Sequence, residues 1–116
     1  MLRGLLLLLE AYLKHSYSVK ASRNGENMIL VTYDLISPGQ KYQRLIEAIT
    51  SMGESCHCLE STWLLKTSLT AEQVATRLRQ QIDGNDKLLV TAFNPHNSNG
   101  WLSQEAWNWI YGYVNR

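Results

Sequence analysis

Asp34 stands where an apolar run, Met28-Ile-Leu-Val-Thr-Tyr33, gives way to the polar stretch Ser37-Pro-Gly-Gln40. A carboxylate at such a strand end can reach solvent. A hard oxygen donor of that kind suits Mg²⁺, which keeps several of its waters and needs only one or two protein carboxylates beside substrate phosphates. A metal so held could activate water and stabilise the leaving oxygen of a phosphodiester. The same side chain can instead cap the following loop through nearby backbone amides. Tyr33 and Ser37 flank Asp34 and are candidates for positioning phosphate, although Ser37 reads first as a turn residue ahead of Pro38. Arg44, Arg77 and Arg79 are candidates for nucleic-acid backbone contact, and Lys66 has the same standing. Charges on a helix surface are also commonly only solvated.

Cys56-His57-Cys58 invites a metal reading. Zinc sites normally collect four ligands at spacings such as CxxC, and the chain has only these two cysteines, with His96 as a distant third candidate. On a strand, residues i and i+2 share a face. The two thiols therefore point the same way, toward the core on this reading, with His57 opposite. They are poorly placed for a disulfide with each other, and a reducing cytoplasm fits their usage. No glycine-rich phosphate loop, GxSxG element or HExxH helix occurs.

The elements that must carry these residues are well punctuated. Residues 28–33 read as a buried strand. Tyr42, Leu45, Ile46, Ile49 and Met52 recur at helical spacing, and Gly53 follows where a C-cap belongs, so the spacing predicts a helix over 41–52. ESCHCLE (54–60) and STWLLKTS (61–68) read as two strands with a turn at Glu60-Ser61-Thr62, or as one longer bent strand. Thr70-Ala-Glu-Gln73 is a capping box for a helix over 71–82 that buries Val74, Leu78 and Ile82. Asp83-Gly-Asn-Asp86 is a turn, and residues 87–93 are a fourth strand. Two right-handed crossovers fold this order into an α+β, ferredoxin-like βαββαβ sandwich, with four antiparallel strands and both helices on one face. The other face is left without helices, and Tyr33 and Trp63 are expected there.

After the loop NPHNSNG, the tail WLSQEAWNWIYGYV reads as an aromatic-rich C-terminal helix with Ser103 as N-cap. Trp101, Trp107 and Trp109 give it an aromatic density that a solvated helix does not carry. They have three readings: packing on the domain's own open face, an interface with a second copy, or nucleobase stacking. Residues 1–27, beginning MLRGLLLLLEAYL, read as an extension, helical or disordered, ahead of a domain over 28–116. A signal peptide, or a start at Met28 with the upstream residues untranslated, are the other readings of that segment. Its apolar run is far below the roughly 20 residues a membrane span needs.

The whole chain has a formal net charge of +1 over 116 residues. From Met28 onward it carries seven Lys and Arg against eight Asp and Glu, a net of −1. Strong binding to nucleic acid by this chain alone is disfavoured, because phosphate neutralisation calls for a basic surface.

The combination YDL-x-x-PG-x-x-Y (33–42), ES-TWLLKT (60–67) and GWLS (100–103) resembles the CRISPR-associated endoribonuclease and spacer-integration family of ferredoxin-like proteins, and more closely its SinR-like relatives. The resemblance runs from about Met28 to Ile110. The virulence-associated D family of ribonucleases is a further structural cousin. The resemblance implies a homodimer in which the two copies of Asp34 face each other near the axis and can hold a divalent metal, for which the hard carboxylate oxygens suit Mg²⁺. It also implies that such proteins act without catalysis, as dimeric clamps. A homodimeric adaptor or nucleic-acid-associated scaffold is thus the first expectation, and a metal-dependent endonuclease the second.

Overall fold

The computed structural model describes residues 26–37 and 39–112; the segment read as an N-terminal extension lies, up to residue 25, outside the described residues. The elements run β1 (Asn27–Asp34), α1 (Gly39–Ser51), β2 (Glu54–Leu59), β3 (Thr62–Thr67), α2 (Ala71–Arg79), β4 (Lys87–Ala92), a 3-10 turn (Pro95–Asn97) and α3 (Gln104–Tyr111). The strands form one sheet in the order β2-β3-β1-β4, with every neighbouring pair antiparallel. The chain is an α+β protein with a four-stranded antiparallel sheet, compatible with a ferredoxin-like type of fold.

Side-chain alternation along β1 decides which residue goes where. Ile29, Val31 and Tyr33 share one face and, with Trp63 and Leu65 of β3, Leu45 and Ile49 of α1 and Val74 and Leu78 of α2, close the main core. Tyr33 and Trp63 thus lie under the helices, not on the opposite face where they were expected. The reason is parity: Tyr33 is two residues from Val31, and the register sets Trp63 directly across from Val31.

Met28 and Leu30 point to the second face, as does Leu64, which is buried there with Ile110 and Tyr111 of α3. Cys58, Phe93, Leu102, Trp107 and Trp109 pack around this smaller cluster. The C-terminal helix therefore covers part of the face that the other two helices leave open. Ser103 caps it by accepting from the Ala106 amide at 3.1 Å. Gly112 ends it in the left-handed conformation, with φ 75°.

The capping box at Thr70 forms as its spacing predicts, with Gln73 N–H donating to the Thr70 hydroxyl at 3.1 Å and Thr70 N–H donating to Gln73 Oε1 at 2.9 Å. Gly53 does more than end a helix. Its φ is 157°, and a Cβ there would strike the Lys66 carbonyl of β3. Only glycine lets the chain pass that close to the sheet. Among the described residues no helix is long and apolar enough to cross a membrane.

Candidate functional site

β1 delivers Asp34 to the end of the sheet, where it lies opposite Lys87 of β4. Its carboxylate is exposed and makes no hydrogen bond or ion pair with the described residues. The loop beyond it does not use Asp34 as a cap. That task falls to Asp86, whose Oδ1 accepts from the Ile36 amide at 2.9 Å. Its Oδ2 accepts from the Asp83 amide at 2.8 Å.

Lys41, in the first turn of α1, completes the cluster. Its ammonium donates to both Asp86 oxygens at 3.2 and 3.0 Å and to Asp83 at 3.0 Å. The Asp86 side chain is wholly shielded from solvent and that of Lys41 nearly so, whereas Asp83 is two-thirds exposed. The amides of Ile36 and Asp83, and then Lys41, hold the Asp86 carboxyl down at about 2. Asp83 and Asp86 push the Lys41 ammonium upward in turn. This lock joins the β1–α1 loop to the α2–β4 turn and so fixes the ground on which Asp34 stands. Neither Lys41 nor Asp86 was a sequence candidate. The signal was there: Lys41, Leu45 and Ile49 occupy one buried stripe of α1, and a lysine on an apolar stripe needs a buried partner.

The other candidates are spread widely. Ser37 is exposed in the loop next to the lock. Tyr33 is buried in the main core, where its hydroxyl accepts from the Trp63 indole N–H at 3.2 Å. Burial pushes its phenol up to about 12. It is neutral at ordinary pH, and its side chain lies in the core under the helices, not at the exposed strand end that Asp34 occupies. Arg44 is exposed on α1, and Arg77 and Arg79 on α2. Arg79, with Ala75, Ile82 and Leu88, lines a cleft of about 370 Å³ beside the lock. Lys66 belongs to α3: its ammonium donates to the Trp109 carbonyl at 2.8 Å and sits 4.3 Å from the Trp109 ring centroid. The same carbonyl accepts from the Gly112 N–H at 3.3 Å, so the ammonium is a second donor there and complements the negative end of the helix dipole.

The three tryptophans of the tail divide. Trp107 and Trp109 are half-buried against the domain's own second face, with Trp107 stacked on Tyr111 at 5.7 Å. Trp101 is 96% exposed. Cys56 and Cys58 share a face, as alternation requires, but that face is the second one, where Cys58 packs into the smaller cluster. Burial raises both thiols above their ordinary range, which keeps them protonated and weakly reactive. His57 projects on the helix-bearing side at the sheet edge, stacked on Trp63 with ring centroids 4.3 Å apart. No group of three or more His, Cys, Asp or Glu among the described residues could hold a metal ion. Comparison with models of protein families, with curated proteins and with solved structures finds no match to this chain.

Proposed function

We propose that the chain is a ferredoxin-like βαββαβ domain that works as a homodimeric adaptor or nucleic-acid-associated scaffold without turnover of its own. The observation that carries this reading is Trp101. It is a large aromatic side chain left 96% exposed, while its neighbours Trp107 and Trp109 are folded into the molecule. Exposed aromatic residues of this kind anchor partners, either in a protein pocket or by base stacking. The near-neutral charge favours a shared or assisted contact with nucleic acid over strong binding by one chain.

Sedimentation equilibrium of the full chain, with anisotropy of a labelled single-stranded RNA, tests the reading. The parent should sediment as a dimer. Any RNA affinity should fall about tenfold in Trp101→Ala, as loss of one stacking platform implies. A chain that stays monomeric at high micromolar concentration ends this reading.

A second reading has its own support. Asp34 is exposed and its carboxylate is spared from loop capping by Asp86. Paired with its twin in a dimer, it could help to hold Mg²⁺, which would supply charge neutralisation and an activated water for phosphodiester hydrolysis. Asp34 would then be the metal ligand and catalytic residue, with Ser37 beside it. Cleavage of labelled RNA or DNA that requires Mg²⁺ or Mn²⁺ and is lost in Asp34→Asn would establish it. Cleavage that survives the substitution would remove it.

A further inference from the structure

The two outer strands of the sheet are finished differently. β2 carries a register shift between His57 and Leu59, a bulge that bends that edge. β4 pairs with β1 without a shift over Lys87–Ala92, contains no proline, and has its one charge, Lys87, at its start. Bulges, prolines and mid-strand charges are the devices that stop an edge from pairing with another strand. β4 has none of them.

The hydrogen-bond phase of β4 can be read from one contact. Phe93 N–H donates to the Met28 carbonyl at 2.8 Å. Hydrogen-bonded pairs alternate along an antiparallel ladder. Thr91, Leu89 and Lys87 therefore turn their backbone groups inward to β1, and Leu88 and Val90 turn theirs outward. Those outward groups have no backbone partner among the described residues. Between them Leu89 projects from the second face, 60% exposed and beyond the cover of α3.

We infer that β4 is the strand through which two copies of this chain join, antiparallel about a two-fold axis at Leu89. In that register Leu88 faces the second copy's Val90 and makes hydrogen-bonded pairs with it on both sides of the axis, about four main-chain bonds in all. Leu89 meets its own twin at the closest side-chain spacing of the ladder. Lys87 lies opposite the second copy's Thr91, away from its own twin. The pairing is isologous, so it closes at two copies and leaves Trp101 outside the joined edge. This inference rests on the homodimer reading and adds the surface that makes it.

Two variants at an exposed position test it. Leu89→Lys sets two ammonium groups side by side on the axis. It should weaken the dimer by at least about tenfold in sedimentation equilibrium, with an unchanged far-ultraviolet spectrum. Leu89→Cys should form a disulfide-linked dimer under mild oxidation, which the parent with Cys56 and Cys58 alone does not. If the parent is dimeric, and Leu89→Lys keeps its affinity or Leu89→Cys stays uncrosslinked, the β4 assignment is overturned while the homodimer stands. A monomeric parent removes both.

Discussion

One face of the sheet is closed by a cluster of nine buried side chains drawn from β1, β3, α1 and α2, while the cluster on the other has three, Leu64 of the sheet with Ile110 and Tyr111 of an eight-residue helix. The first face takes its stability from area: two helices pack their stripes onto alternating strand residues. The second is held by mixed contacts, with stacked aromatic rings and a lysine reaching a helix carbonyl around a few aliphatic side chains. The difference teaches where to look for function. Among the side chains that packing leaves exposed, Asp34, Leu89 and Trp101 stand at the limits of the second face, where its cover runs out, or in the loop leading to its helix.

The largest expected effect lies in the first face. Leu78→Ala should cost about 3 kcal/mol of unfolding free energy in denaturant titration, because a fully buried side chain leaves a cavity between helix and sheet. Ile110→Ala should cost less, about 2 kcal/mol, because a short terminal helix can settle into the space. Its effect on amide exchange should be confined to α3 and the strands beneath it. Equal losses spread over the whole molecule would mean that the two faces are one cooperative core.

The next test separates the lock from both faces. Asp86 titrates at about 2 in the folded chain against an ordinary 3.8, so its charge favours folding at any pH above that ordinary value. The contribution is lost as pH falls through the interval from about 4 to about 2. Lys41 has the opposite sign: its contribution is complete below its ordinary 10.5 and disappears as pH rises through its higher folded value. Asp86→Asn should lower stability at neutral pH and flatten the acid limb of a stability profile. An unchanged limb would place the acid sensitivity elsewhere. The smallest expected effect is at the entry to α2, where Thr70→Ala should cost about 1 kcal/mol by thermal unfolding through loss of one cap.

Much of the fold was legible because local signals agree with one another. Both helix stripes, the box at Thr70 and the strand runs lie within a few residues of the places their spacing predicts. What escaped was long-range. The assignment of Tyr33 and Trp63 failed because a strand's alternation fixes which residues go together without naming the face the helices cover. The lock escaped because Lys41 and Asp86 are 45 residues apart, and no periodicity links a lysine on one helix to a turn aspartate. Asp34 was legible as a carboxylate at a strand end, but its freedom was not: it depends on Asp86 having taken the Ile36 amide. The aromatic tail was legible in its density alone, since sequence cannot divide Trp107 and Trp109 from Trp101.

The contact between Lys41 and Asp86 also has a kinetic consequence. It ties the beginning of one strand-helix-strand half to the end of the other, so it can close only after both halves have docked, and closing so long a loop early would be entropically unfavourable. Weakening it should leave the refolding rate nearly untouched and show up as faster opening. With that outcome the polar lock would act as a brake on escape from the native state, the apolar core setting the speed of arrival.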